Sequence, residues 1–373
     1  MRTIQIDTED KRSVQNFIKL PFTIYKSIPQ WIPPLEGDVS KALDRNRNPF
    51  FRHSDAAFFL TLDAEDQPIG RLAVIDNRNY NEYNHERTAF FWYFECINDF
   101  NVSHQLFQHA FAWAKQRDLN KVIGPKGFTA LDGLGLLVKG FDLQPAFGIP
   151  YNPKHYMDFV EAENFQISND IVSGYMSGDF QFPEKILKAA ELIQKRKGLS
   201  VARFKHRSDL LSLVSKLKDL HNAALIGTNG NTPLTDDEAR SMANQILWLA
   251  DPRFIKILMK GDDPVGFLFA YPDISAAVKR QNGKLFPFGW IDIFKEMQAT
   301  KWININGAGI LEEYRGMGGT AILFSEMYKS IVEGHFQHAD IVQIGIENDR
   351  MQNELRSLGV KFYKTHRMYH KEL

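Results

Sequence analysis

Residues 309–321 read GILEEYRGMGGTA. An arginine and three glycines fall within positions 315–319, after an apolar run (WININGAGIL, 302–311) and before a run of helical character (GTAILFSEMYKSIVEGHF). The pattern predicts a strand, a tight turn and a helix that begins among the glycines. A helix N-terminus carries several N–H groups without intrahelical partners and the positive end of the helix dipole. With no side chain at Gly316, Gly318 or Gly319, a phosphate can approach those amides directly. Thr320 adds a hydroxyl and Arg315 a fixed charge. A turn required only for close packing has the same sequence signature.

Three phosphate-binding patterns compete for this stretch. The P-loop ends in Gly-Lys-Ser/Thr, and no lysine follows these glycines. The dinucleotide fingerprint G-x-G-x-x-A is met by Gly316 to Ala321, with Glu347 at the end of the next predicted strand as a ribose-binding acid. That alternative predicts an NAD(P)-binding enzyme. Against it, LEEYR separates strand from glycines, and the residues after Glu347 are too few for further parallel strands.

The third pattern fits best. Arg315-Gly-Met-Gly318-Gly-Thr320 resembles motif A (R/Q-x-x-G-x-G/A) of the GCN5-related N-acetyltransferase (GNAT) superfamily, and Asn348 with RMQNELRSLGV (350–360) resembles the family's last helix. The resemblance covers roughly residues 199–373. It implies an α+β fold and N-acyl transfer from acetyl-CoA or another acyl-CoA to a small-molecule or peptide amine. It places the CoA pyrophosphate on Arg315, Gly316, Met317, Gly318, Gly319 and Thr320, the pantetheine arm on Ile310 and Leu311, and a further cofactor contact at Asn348.

An internal repeat extends this reading to the whole chain. Residues 58–74 (FFLTLDAEDQPIGRLAV) and 254–270 (FIKILMKGDDPVGFLFA) both read as a strand, a polar turn with a Pro-(Ile/Val)-Gly, and a second strand. Pro68 and Pro264 hold the same place in each copy. A helical stretch precedes each hairpin; a strand, a helix (103–118 in the first copy) and a strand follow it. The expected organisation is two tandem acyl-CoA N-acyltransferase-like domains, each a mixed, mostly antiparallel sheet flanked by helices. A degenerate copy spans 1–178 and the CoA-binding copy 179–373. The first copy precedes its helix with INDFNVSHQ, which has no glycine, so no pyrophosphate loop is expected there. Two long insertions, 124–156 and roughly 272–300, suggest walls or lids of a substrate cleft.

Acyl transfer from a thioester to an amine needs a group to accept the amine's proton and one to protonate the thiolate. Many GNAT members use a tyrosine in the last helix as the acid; the matching position here is Leu355. The strand before the loop offers Trp302, Asn304 and Asn306 and no carboxylate. Asn306 and Glu347 are therefore the catalytic candidates, with Tyr363 or Tyr369 as possible relays. The missing acid keeps a non-catalytic acyl-CoA-binding protein as an alternative. The aromatic clusters FFWYF (90–94) and FPFGW (286–290) are candidates to line an apolar acyl or substrate pocket, and Asp292 is a candidate contact for an amine.

Composition sets the outer bounds. The 373 residues carry 45 Lys+Arg and 45 Asp+Glu, which gives no general attraction to nucleic acid or anionic membranes. The single cysteine, Cys96, makes no internal disulfide, and His206, His221, His335 and His338 lack the spacing of metal ligands. No apolar run approaches the roughly 20 residues of a membrane span. A cytoplasmic protein is expected.

Overall fold

The computed structural model describes the chain except residues 130, 180, 205 and 227–230. Single residues of the 124–156 insertion and of the stretch joining the two copies thus lie outside the described residues.

The strands are β1 Arg2–Gln5, β2 Asp55–Leu62, β3 Pro68–Asp76, β4 Thr88–Cys96, β5 Lys121–Gly124, β6 Leu136–Lys139, β7 Gln166–Ser177, β8 Leu199–Val201, β9 Ile255–Lys260, β10 Asp263–Pro272, β11 Trp302–Ile310, β12 His338–Gly345 and β13 Lys361–Glu372. They form one mixed sheet in the order β1-β2-β3-β4-β5-β13-β7-β12-β11-β10-β9-β8, with β6 also on β13. The order reads the same from both ends. From β1 and from β8 inward, each half lays down antiparallel strands, a hairpin (β2–β3 and β9–β10) and one parallel pair (β4–β5 and β11–β12). The architecture is α+β, in two copies.

The copies exchange their last strands. The C-terminal strand β13 pairs with β5 of the first half, while β7, the last strand of the first half, pairs with β12 of the second. The two exchanged strands then pair with each other along the middle of the sheet, from Lys361↔Tyr175 to His370↔Gln166. Neither half completes its sheet alone.

Each half packs one long helix on its strands for the same reason. In the helix Phe100–Lys115, Val102, Leu106, Phe107, Ala110 and Phe111 recur at helical spacing and are buried against Leu72, Val74 and Phe91. In Gly319–Glu333, the set is Ile322, Leu323, Phe324, Met327 and Ile331, buried against Leu258, Leu268, Ile303 and Ile305. Full burial of side chains of this size contributes about 1.5–3 kcal/mol each.

Both copies also carry a bulge in the strand before that helix. Opposite Leu268 and Ala270 stand Ala308 and Ile305, so β11 holds one extra residue, with Gly307 at φ +93°. Opposite Arg71 and Ala73 stand Glu95 and Trp92, so β4 does the same, with Tyr93 at φ +51°. A bulge leaves backbone groups unpaired and bends its strand. Accordingly β11 pairs with β12 only from Trp302↔His338 to Ile305↔Ile341, and the two strands then part.

Candidate active site

The parting of β11 and β12 opens a cavity of about 740 Å³ that runs from the second half into the first. On the second-half side it is lined by Ile305 to Ala308 of the bulge, by Val342 to Gly345 of β12, and by Glu347, Asn348, Met351 and Leu355. On the first-half side stand Tyr25, Trp31, Arg71, Trp92, Tyr93 and Glu95, together with Phe128, Thr129, Leu131 and Asp132, and Phe147 to Asn152, of the 124–156 insertion.

That insertion is bolted to the second half. Gln343, itself at φ +55°, accepts from Leu134 N (3.0 Å) and donates to Leu134 O (2.8 Å) through its side-chain amide. The Tyr271 hydroxyl donates to Phe147 O at 2.9 Å. Ala146 and Ile149 pack on Val342. Across the mouth, Lys41 of the first half donates to Ser241 Oγ at 2.6 Å, and His53 meets Glu238 at 3.1 Å. The chamber is thus built jointly by the two halves.

Its charged groups come mainly from the first half. Asp132 accepts from Thr129 N (2.8 Å) and Thr129 Oγ1 (3.2 Å). Burial nonetheless pushes its carboxyl up to about 6, and the Thr129 hydrogen bonds only moderate the rise. Part of its surface remains accessible because it faces the cavity. Glu95 is also raised by burial, opposed by the Arg71 guanidinium to which it is hydrogen-bonded. Arg71 is 2% exposed, donates also to Phe17 O, and lies over the Phe17 and Tyr93 rings at 4.9 and 5.0 Å. Desolvation lowers the pKa of His221 on the cavity wall, which favours its neutral form.

The residues singled out in the sequence divide into three groups. Asn306, Glu347 and Asn348 line the cavity. Asn306 lies in the bulge beside the Tyr271 hydroxyl, to which it is hydrogen-bonded. The Asn348 side chain caps the helix Asp349–Ser357, accepting from Met351 N at 3.1 Å.

Ile310 and Leu311 lie one step beyond, packed on the core under the turn, and Leu311 N donates to Val265 O at 3.0 Å.

The glycine turn forms the start of Gly319–Glu333, with Gly318 at φ +87° as its cap and no side chain bonded to the first amides. Thr320 stands in the first turn, partly exposed. Met317 N donates to Tyr314 O at 3.3 Å. Two of the glycines also serve packing: a β-carbon on Gly318 would come within 2.5 Å of Ile193, and one on Gly319 within 2.9 Å of Leu258. Gly316 faces space near Arg350, whose guanidinium would lie 3.7 Å from a β-carbon there. The Arg315 guanidinium is spent on carbonyls, Ile310 O at 3.1 Å and Ala224 O at 2.7 Å.

Other sequence candidates fall elsewhere. Tyr363 donates to Asp340 Oδ2 at 2.7 Å and Tyr369 to Glu161 at 3.1 Å, both apart from the cavity lining. Asp292 is held by Arg280 at 2.9 Å on the second insertion. Of the aromatic clusters, residues 92–94 line the cavity and residues 286–290 do not. Among the described residues no group of His, Cys, Asp and Glu is arranged to hold a metal ion. Sequence reasoning missed Asp132, Glu95 and Arg350. A signal existed for Asp132, the sole carboxylate in the glycine-rich stretch GPKGFTALDGLGLLVKG (124–140).

No family model matches the chain. Protein YghO of Escherichia coli (strain K12) is 26% identical over 372 residues, spanning 98% of this chain and 94% of that protein. The bacterial ceramide synthase of Caulobacter vibrioides (strain NA1000 / CB15N) is 25% identical over 380 residues, spanning 99% and 97%. Among solved structures, a tandem GNAT protein from the clavulanic acid biosynthesis pathway superposes with a TM-score of 0.59 at 11% identity, covering 100% of this chain and 98% of that one. Palindromic sheet, paired bulges and this superposition agree: the chain has the tandem GNAT fold.

Proposed function

We propose that the protein is an acyl-CoA-dependent N-acyltransferase whose acceptor is an amine with a long apolar tail. The observation that carries this reading is the shared cavity. It joins the β11 bulge and the end of β12 in the second half to a carboxylate and an aromatic chamber of the first. The Caulobacter relative, by name a ceramide synthase, accords with such an acceptor, ceramide being the amide of a long-chain amino alcohol.

The residues divide the work as follows. The unbonded first-turn amides of Gly319–Glu333, with Arg350 nearby, receive the CoA pyrophosphate. The pantetheine arm lies in the gap where β11 leaves β12, beside Asn306 to Ala308. Backbone donors freed by the bulge polarise the thioester carbonyl. Asp132 takes a proton from the acceptor ammonium. The nitrogen then forms the C–N bond, the C–S bond breaks, and one of the two protons left on the attacking nitrogen goes to the departing thiolate, so CoA leaves as the thiol and the other proton stays as the amide N–H. A carboxyl near 6 is largely ionised at neutral pH and still basic enough for the task. Asn306 and Glu347 orient the reactants from the opposite wall.

The test is release of free CoA thiol from palmitoyl-CoA and acetyl-CoA over amines of increasing chain length. Turnover that rises with tail length supports the reading; equal rates with short polar amines sink the acceptor assignment. A second reading rests on Leu355, which is buried where many GNAT members place their acid. It makes the protein an acyl-CoA carrier, stabilised by acyl-CoA with no thiol release from any amine.

A further inference from the structure

The insertion between β10 and β11 presents an aromatic surface to solvent. Phe286, Phe288, Trp290 and Phe294 are 82%, 72%, 53% and 50% exposed, within nine residues of one another. Monomeric proteins seldom leave so much contiguous aromatic surface open without a use for it.

The rings cannot be folded away, because the inner face of the insertion is already filled. Along the helix Gly289–Ala299, Gly289, Ile293 and Met297 face inward, and Ile293 (1% exposed) packs on Ile274, Ala277 and Val278. Trp290 and Phe294, one turn apart, take the outer face. Arg280 fastens this helix to the preceding one through Asp292 (2.9 Å) and Glu296 (2.7 Å). The aromatic edge is therefore held outward by a braced element.

Two further features say what covers it. First, the edge is rimmed by positive charge in a chain that is neutral overall. Residues 279–301 carry five basic residues against two acidic ones, both acids are spent on Arg280, and Lys284 and Lys295 are exposed beside the rings. Second, the edge is continuous with the cavity wall. Gly283 O accepts from Glu36 N at 2.9 Å, and Leu285 joins the cluster of Leu35, Ile32 and Trp248, all three of which line the cavity. Aromatic rings at headgroup depth with lysines beside them are the composition of interfacial membrane binding.

We infer that residues 284–295 dock the protein on an anionic phospholipid bilayer, with Phe286, Phe288, Trp290 and Phe294 entering the interface and Lys284 and Lys295 meeting the headgroups. The surface holds the cavity wall of residues 32–35 against the bilayer, where an apolar-tailed molecule would be found. The docking does not depend on the proposed reaction, and it is tested without substrate.

The experiment is sedimentation of the full chain with vesicles of phosphatidylethanolamine and phosphatidylglycerol, and with vesicles of phosphatidylcholine alone. The wild type is expected to sediment with the anionic vesicles and much less with the neutral ones. Removing each lysine (Lys284→Ala, Lys295→Ala) should weaken partition about fivefold. The variant Phe286→Ser/Phe288→Ser/Trp290→Ser should lose binding while keeping the wild-type melting temperature, since these side chains are exposed. Vesicle binding that survives the triple substitution overturns the inference. So does a wild type that binds no vesicle, and light scattering of that wild type would show whether the face joins two copies of the chain instead. If the triple variant melts early, Lys284→Glu/Lys295→Glu decides alone: unchanged partition refutes the assignment.

Discussion

The helices Phe100–Lys115 and Gly319–Glu333 hold equivalent places on the two ends of the palindromic sheet, and their first turns are built oppositely. The first begins at Asp99, whose carboxylate accepts from Asn101 N at 2.9 Å. The second begins at Gly318, which offers no side chain to its amides. The Asp99 carboxylate puts a negative charge and an acceptor where a phosphate would otherwise sit. A site that caps itself has no use for an anion. The duplication has thus separated two tasks: one helix end stays open, while the other half is free to supply carboxylates, aromatic rings and a wall.

The sharpest way to break this division is to remove the first half's contribution without touching the second. Asp132→Asn keeps the size of the side chain and an acceptor for Thr129 N. It is expected to lower turnover by about 10²–10⁴ while CoA-induced stabilisation stays at the wild-type level. In the wild type, turnover should rise with pH through about 6, and the variant should lack that limb. Stability gives an independent check. Because the folded carboxyl lies above its unfolded value of about 3.9, the native state binds the extra proton between those values. Stability therefore falls as pH rises from about 4 through 6. Urea denaturation of Asp132→Asn should show a flatter dependence over that window. An unaltered turnover would mean that the first half is only a wall.

The second difference lies at the exchanged strands. Asp340 on β12 reaches Lys364 (3.0 Å) and Tyr363 (2.7 Å) on β13, with side-chain exposures of 3% for Asp340 and 1% for Lys364. Burial raises the Asp340 carboxyl and lowers the Lys364 amine, and each partly restores the other's charge. The first half carries no carboxylate at this level: β5 reads Lys-Val-Ile-Gly. Asp340→Ala strands a buried ammonium and should cost about 3–5 kcal/mol in urea denaturation. The double substitution Asp340→Leu/Lys364→Met should cost less than either single change. If Asp340→Ala is neutral, the cluster is not what holds the exchanged strand.

These two sites mark where the sequence stops being readable. The hairpins, the glycine turn and the repeat are local patterns, so periodicity and Pro68/Pro264 revealed them. The exchange of β7 and β13 is not local. Both strands alternate in the ordinary way, and nothing in the residues themselves names the neighbour. Asp132 carried only a weak signal, as the sole carboxylate of a glycine-rich stretch, since its setting is made by a cavity between elements far apart in the chain. Arg315 and the glycines show the opposite case, a local pattern that also serves packing. Charge and missing side chains suggest phosphate contact, whereas the structure uses Arg315 to tie Ala224 to Ile310 and uses Gly318 and Gly319 to admit Ile193 and Leu258.

That observation changes how the open helix end must be tested. A substitution at Gly318 meets Ile193 and a left-handed backbone, so it damages the fold whether or not CoA binds. Thr320→Glu avoids both problems. A carboxylate in the first turn favours the helix dipole by about 0.3–1 kcal/mol and repels a pyrophosphate. At a CoA concentration near 100 times its dissociation constant, the wild type should gain about 2.7 kcal/mol, read as a shift in melting temperature. Thr320→Glu should gain nothing and melt no earlier than the wild type when CoA is absent. Full CoA stabilisation of Thr320→Glu would place the cofactor elsewhere.

The mirror experiment in the first half carries the smallest effect. Asp99→Ala removes the cap and should cost about 1 kcal/mol, within the range of 0.5–2 kcal/mol for such replacements, with the response to CoA unchanged. The bared amides should not become a second CoA site. Phe100 and Asn101 occupy the positions that Gly319 and Thr320 hold in the second half, so side-chain bulk at Phe100 crowds the approach even after the charge is gone. Isothermal titration decides the point. One equivalent of CoA per chain in Asp99→Ala means that geometry as well as charge closed the first helix end. Two equivalents would mean that a single carboxylate is all that separates the two halves.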